Sequence, residues 1–265
     1  DANAYYNRGL AFADIKDYDR AIANFTKAVE IDPRDADAYL NRGYSYVFKK
    51  NVDKAIADYN NALKVNSLDA DAYSSRGNAY TDKKDYERAI ADHNKAIEID
   101  PHDAYAYNNR GVAYADIKDY DRALADYTRA LEINPLDADA YSNRGVVYAY
   151  KKDYDRAIAD YNNALKINPQ DAVAYSNRGN AYTDKKDYDR AIADLTKAIK
   201  INPHDAEAYY GMACLNAARN NAEDACEWLA RAIEKGFGDW AQIKNNDDLS
   251  TIRDSSCYGN IMRGK

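Results

Sequence analysis

Cysteine, methionine, phenylalanine, tryptophan and histidine are all scarce in this 265-residue chain, at 3, 2, 4, 2 and 3 residues. Cys214, Cys226 and Cys257 are odd in number and lack a CxxC spacing, so they specify neither a zinc ribbon nor a disulfide framework. They read as small buried hydrophobes in a reducing setting, which favours the cytoplasm in a sequence that leaves the compartment otherwise unspecified. His93, His102 and His204 show no ligand spacing, and no metal is expected. There is no Ser-His-Asp arrangement and no Gly-rich phosphate loop, so neither catalysis nor a cofactor is expected. A basic excess is missing as well: Lys and Arg number 37 against 44 Asp and Glu, a net charge of −7, which argues against a nucleic-acid backbone as partner. No apolar run approaches the length of a membrane span. The chain begins at Asp1 without Met and carries no signal peptide, so it reads as a trimmed piece.

What the chain does contain is a period. Gly recurs at 9, 43, 77, 111, 145 and 179, always after 34 residues, inside Ala-x-Tyr-x-(Asn/Ser)-Arg-Gly. Ala21 and Ala28, and Tyr5, recur on the same spacing into a seventh, degenerate unit in which Ala213 replaces Gly. Pro33, Pro101, Pro135, Pro169 and Pro203 close their units, and Ser67 stands in the second. A fixed period of this length means an array of small supersecondary units. In the fourth unit Asp103 is a natural N-cap, and Tyr107, Gly111 and Tyr114 recur at helical spacing. Lys118-Asp119 breaks that pattern, Asp119 caps a second helix through Leu124, Tyr127 and Leu131, and Asn134-Pro135 ends it. Helices this short are marginal alone, so neighbouring hairpins must stabilise one another.

The pattern resembles the tetratricopeptide repeat, whose signature appears as Tyr5, Arg8-Gly9, Phe12, Ala21, Phe25 and Pro33. The usual Leu before Gly is Arg in six units. The resemblance implies an all-α, right-handed superhelical solenoid of antiparallel helix hairpins. Repeats are expected over 1–35, 36–69, 70–103, 104–137, 138–171, 172–205 and a degenerate 206–237, with a helical cap over 238–265. In that cap Asp239 is expected to precede a helix with Trp240 and Ile243. Asp247 or Asp248 would cap a second with Leu249 and Ile252, before Tyr258 and Ile261. The segment either covers the apolar end of the array or folds back into the groove.

In this family the first helix of each hairpin lines the concave side. Two residues before Gly stand Asn7, Asn41, Ser75, Asn109, Asn143 and Asn177, with Gly211 in the seventh unit. The row resembles the asparagine ladder of the O-GlcNAc transferase repeats, whose amides hold an extended peptide backbone. A primary amide offers a donor and an acceptor, matching one peptide unit. The alternative is that these Asn are simply solvated. Tyr6, Tyr44, Tyr105, Tyr150 and Tyr210 fall outside the recurrent packing slots, as does Phe48, and the resemblance places them on the same face, as aromatic contact surface. Asn78, Asn108 and Asn180 complete the candidate peptide-binding set. Asp37, Asp71, Asp139 and Glu207, with Asp14, Asp82, Asp116 and Asp184, give that face a preference for neutral or basic segments; Lys16, Lys84, Lys118 and Lys186 are nearby offsets for the latter four. Three residues before Gly, where the chaperone adaptors of the family carry a clamp Lys, stand Tyr6, Leu40, Ser74, Asn108, Ser142, Ser176 and Tyr210. A chaperone's acidic C-terminal tail is therefore not expected as ligand.

The recurrent Arg has a recurrent partner. Asp58, Asp92, Asp126, Asp160 and Asp194 follow Arg42, Arg76, Arg110, Arg144 and Arg178 by 16 residues, with Asn24 after Arg8, and the seventh unit loses both as Met212 and Trp228. Pairing across each hairpin is predicted. The expected role is a non-catalytic protein-interaction scaffold. The alternatives are a substrate-recognition region of a larger multidomain enzyme, or a scaffold self-assembling through the first repeat, where Tyr5 and Phe12 lie at an open edge.

Overall fold

The computed structural model describes residues 1–263, and every regular element among them is a helix. Two compact units divide the chain, Asp1–Pro135 and Leu136–Lys265. The first holds α1 (Ala2–Asp14), α2 (Tyr18–Ile31), α3 (Ala36–Phe48), α4 (Val52–Val65), α5 (Ala70–Asp82), α6 (Tyr86–Ile99), α7 (Ala104–Asp116) and α8 (Tyr120–Ile133), paired as hairpins. In the second, α9 (Ala138–Tyr150) pairs with α10 (Tyr154–Ile167), α11 (Ala172–Asp184) with α12 (Tyr188–Ile201), and α13 (Ala206–Ala218) with α14 (Ala222–Glu234). Then come α15 (Trp240–Asn245), a 3₁₀ helix (Asp247–Ile252) and α16 (Ser256–Arg263). The last two residues expected in the C-terminal cap, 264 and 265, lie outside the described residues.

The helix boundaries follow from local chemistry. Asp35 accepts from the Ala38 amide at 2.9 Å and Asp119 from the Arg122 amide at 3.2 Å, each satisfying a donor that has no partner within its helix. Second helices stop at an extended residue; Asp32, Asp100 and Asn134 precede Pro, which disfavours the helical conformation before it. Asn66 adopts the same extended conformation although Ser67 follows it. The tight turn between the helices of a hairpin is made by Lys in the left-handed region, at Lys16, Lys50, Lys84, Lys118, Lys152 and Lys186, with φ near 60°. A Cβ is disfavoured there. Lys118→Gly should therefore raise the unfolding free energy by about 1 kcal/mol, the steric relief outweighing glycine's larger entropy loss. Urea denaturation of the full chain reads it, and an unchanged or lowered midpoint would show that the turn carries no strain.

Packing depends on small residues meeting rings. Ala21, Ala55, Ala89 and Ala123 and their equivalents are fully buried. At Gly111 an added Cβ would lie 2.8 Å from the Tyr127 ring, and at Gly43 2.5 Å from the Tyr59 ring. These glycines serve close approach rather than an unusual φ. In the third hairpin the ring is that of His93, fully buried with neither nitrogen hydrogen-bonded. It fills the slot of Phe25, Tyr59 and Tyr127, as its position in the period predicts.

The predicted Arg–Asp pairs are present in both units. Arg42 donates from Nε and one terminal nitrogen to Asp58, both at 2.7 Å. Arg76 grips Asp92 in the same way at 2.7 Å, Arg110 grips Asp126 at 2.8 and 2.6 Å, Arg144 grips Asp160 at 2.8 Å, and Arg178 grips Asp194 at 2.6 and 2.7 Å. Arg8 donates to Asn24 at 2.6 Å. The fork has a second reach not visible in the period: the other terminal nitrogen of Arg42, Arg76, Arg110 and Arg178 donates to Thr26, Asn60, Asn94 and Asn162 of the preceding hairpin. Each guanidinium also lies over the Tyr three residues before it, Arg110 over Tyr107 at 5.5 Å. One side chain thus ties two helices of a hairpin to the hairpin before.

The C-terminal segment packs on α13 and α14. Phe237, Ile243, Leu249, Ile252 and Tyr258 share a core with Tyr210, Cys214 and Leu229. Asp239 caps α15 as predicted, but the 3₁₀ helix is capped by Asn246 rather than Asp247 or Asp248. The thiol reading is corrected as well. Cys226 and Cys257 form a disulfide between α14 and α16, and only Cys214 is a free, buried thiol. Packing of a non-periodic segment brings the two sulfurs together, and the reducing-compartment expectation loses the support it drew from free thiols.

Candidate functional site

Within the first unit α1 touches α3, α3 touches α5 and α5 touches α7, whereas the second helices make no comparable contact. In the second unit α9 touches α11 and α11 touches α13. First helices therefore form the shorter, inner layer of each unit, the layer that carries the candidate residues.

Along the first unit the layer is hydrogen-bonded to itself. The Asn41 amide donates to the Asp37 carbonyl at 2.8 Å and to the Tyr6 hydroxyl at 3.2 Å. Both its protons are used, which leaves its carbonyl oxygen as the group open to a partner. Ser75 repeats the arrangement: its hydroxyl donates to the Asp71 carbonyl at 2.6 Å and lies 2.8 Å from the Tyr44 hydroxyl. The Asn109 amide nitrogen is buried without a hydrogen-bond partner. Asn7 is exposed, and Asn78 is half-buried. Asn108 is buried, so it presents no surface to a ligand.

The aromatic residues divide into half-buried and exposed. Tyr6 is half-buried against Phe25, and Tyr44 leans edge-on against Tyr59. Phe48 stacks on Tyr18 at 4.6 Å yet stays exposed, and Tyr105 is 61% exposed. In the second unit Tyr150 is 67% exposed, and Asn143, Asn177 and Asn180 are half-buried. Tyr210 departs from expectation. It is 4% exposed, stacked on Phe237 at 4.2 Å, and its hydroxyl accepts from Asn246 at 2.8 Å. The C-terminal segment covers it, and its side chain is not available as an aromatic contact.

Asp14, Asp37, Asp71, Asp82 and Asp116 take part in no ion pair among the described residues. Lys16, Lys84 and Lys118 do not offset them through ion pairs; these Lys are the left-handed turn residues. Burial, together with the charges of Asp69, Asp103 and Asp100, holds the Asp71 carboxyl above its ordinary value. The inner layer of the first unit thus carries uncompensated negative charge beside exposed Tyr and Phe. Among the described residues no group of three His, Cys, Asp or Glu is placed to hold a metal, and no helix is long and apolar enough to cross a membrane.

Comparison with known proteins agrees with this architecture. The tetratricopeptide repeat profile matches residues 2–35, 104–136, 138–171 and 172–205. A TPR repeat profile matches 43–83 and 77–118, and another tetratricopeptide repeat profile matches 24–57. No curated protein matches the chain. Among solved structures, a tetratricopeptide repeat protein from Parabacteroides merdae superposes with a TM-score of 0.73 at 20% identity, over 95% of this chain and 97% of that one. YrrB, a TPR protein with an unusual peptide-binding site, gives 0.54 at 29% identity, over 69% and 95%. MamA gives 0.55 at 30% identity, over 62% and 96%. Repeats of this kind generally mediate protein–protein interactions, and no catalytic family is indicated. In its 34-residue period, its stacked hairpins and its profile matches alike, the chain belongs to the tetratricopeptide repeat family.

Proposed function

We propose that the chain is a non-catalytic scaffold that binds an extended, neutral or basic segment of a partner protein against the inner layer of first helices. The observation that carries this reading is the coincidence, on the inner layer of each unit, of the Asn/Ser row with exposed aromatics outside the packing period. In the first unit Asn41 keeps an open amide oxygen, an acceptor for a peptide N–H. Tyr105 and Phe48 supply contact area on the same layer. In the second unit Asn143, Asn177 and Tyr150 occupy the equivalent places. The unpaired Asp of the first unit favours a segment without excess negative charge. YrrB, similar over 69% of this chain, is named for its peptide-binding site, which supports the same reading here.

The test begins with extended peptides selected from a displayed heptamer library against the full chain. Changing Asn41, Asn109 and Asn143 together to Ala should weaken the selected peptides at least about tenfold, given about 0.5–1.5 kcal/mol per hydrogen bond removed. Tyr105→Ala should act in the same direction. Unchanged affinity in the triple variant, with its helical content intact, would remove the amide row from the binding surface.

A further inference from the structure

One slot in the second helices changes its chemistry at the end of the array. It holds an aliphatic residue in six units: Ile22, Ile56, Ile90, Leu124, Ile158 and Ile192. Where its packing is defined, the slot joins a hairpin to the one that follows. Ile56 of α4 packs in the cluster of Tyr80 from α5, and Ile158 of α10 in that of Tyr182 from α11. In the seventh unit the slot is filled by Cys226, which is 5% exposed and bonded to Cys257 of α16. A covalent bond thus stands where the earlier units use an apolar side chain.

Little else holds α16 to the repeats. Among the described residues no hydrogen bond or ion pair joins it to a repeat helix. The Tyr258 hydroxyl donates to the Ile243 carbonyl of α15 at 3.3 Å, and Arg263 turns back on Gly259 and Asn260 of its own helix. Tyr258 is buried, but Ile261 and Met262 are only partly so. The helix has eight residues with Gly259 inside it, a length and composition that do not sustain a helix in water unaided. The 3₁₀ helix before it is held differently. The Asn246 amide donates to the Tyr210 hydroxyl at 2.8 Å, the Thr251 hydroxyl donates to the Ala217 carbonyl at 2.9 Å, and Leu249 and Ile252 are fully buried. One part of the C-terminal segment is therefore anchored by packing and hydrogen bonds, and the other by a bond that electrons can break.

We infer that the Cys226–Cys257 disulfide is a redox latch: oxidised, it closes α16 over α14; reduced, it lets α16 go and uncovers the α14 face that carries Cys226. The reductant is a dithiol. Its thiolate attacks the sulfur of Cys257, the half-buried and more accessible partner, and forms a mixed disulfide. The Cys226 sulfur leaves as a thiolate and takes up a proton. The second thiol of the reagent then displaces Cys257 and the reagent departs as its own disulfide. Two electrons and two protons pass from the dithiol to the chain. The latch is independent of the peptide-binding reading, because it concerns the chain alone.

The test is amide hydrogen exchange, read by mass spectrometry on the full chain with and without dithiothreitol. Alkylation of the denatured chain should count one free thiol before reduction and three after. On reduction, residues 256–263 should exchange at least about tenfold faster, while α13 and the 3₁₀ helix keep their protection. Cys257→Ser should exchange like the reduced chain in both conditions. Cys226→Ile breaks the bond while restoring the side chain of the earlier units, and should do the same if Cys257→Ser is poorly folded. Three free thiols in the oxidised chain would overturn the latch. So would a reduced chain whose α16 stays as protected as before. Faster exchange spread equally over α13, α14 and the 3₁₀ helix would overturn it too, by making the disulfide a staple of the whole end rather than a latch on one helix.

Discussion

His93→Phe should stabilise the chain at neutral pH and stabilise it further as the pH falls. The reason lies in the third hairpin, where an imidazole occupies a slot that neighbouring hairpins fill with Phe or Tyr. Both its nitrogens are buried without partners, and each such group costs about 1–3 kcal/mol, so removing the pair should yield a gain on that order. The pH dependence has a definite sign. Burial, aided by the nearby Arg110 charge, lowers the His93 pKa from 6.5 to about 4. Between those values the unfolded chain takes up a proton that the folded chain refuses, so stability falls as the pH drops through that window. From pH 7 to pH 5 the loss is about 2 kcal/mol, and below pH 4 it is complete at about 3 kcal/mol. Phe has no such proton, so the variant's midpoint should separate from that of the parent across this range. Parallel urea titrations at pH 7, 6 and 5 measure it. Curves displaced by the same amount at every pH would show that His93 is not the acid-sensitive group.

The second large effect concerns the Arg–Asp forks. Asp126→Ala should cost about 3–5 kcal/mol, because it strands the Arg110 guanidinium in a site that is only 18% exposed at the side chain. Arg110→Met combined with Asp126→Leu should recover most of that loss, since a buried pair pays a desolvation cost that apolar side chains of similar volume avoid. The double variant also removes the contact to Asn94, so recovery should fall short of the parent by about the 0.5–1.5 kcal/mol of one hydrogen bond. Denaturant unfolding of the parent, the single and the double variants decides it. A single variant as stable as the parent would mean that water reaches the guanidinium and the fork contributes nothing.

The parts of this fold that could be read from the sequence are those that repeat. Gly111 against Tyr127, the Asp caps and the Arg–Asp pairs are each stated several times over, and the joint loss at Met212 and Trp228 ties Arg to its acid partner. What could not be read depends on single, long-range events. Tyr6 and Tyr210 share one offset, yet Tyr6 keeps a half-exposed edge, while Tyr210 is sealed by Phe237 at the end of the degenerate unit and by Asn246 in the segment after it, which has no period to interpret. The Cys226–Cys257 disulfide arises from the same segment. The Asn41 amide looks free in the sequence because its acceptor, the Tyr6 hydroxyl, lies 35 residues earlier in the neighbouring hairpin. The inner layer was thus legible as a list of residues, and its hydrogen bonding was not.

The backward reach of each Arg has a consequence for how the array can change length. Arg110 finds Asn94 in the preceding hairpin, and Arg76 finds Asn60 at the same place. Excise residues 70–103 and Arg110 would meet Asn60, the same group in the same position. Whole periods within the first unit are therefore interchangeable at their joints, whereas a cut out of phase would strand both the fork and the ring–glycine contact. Within the first unit, length can thus change by whole 34-residue periods without loss of the Arg contact at the joint.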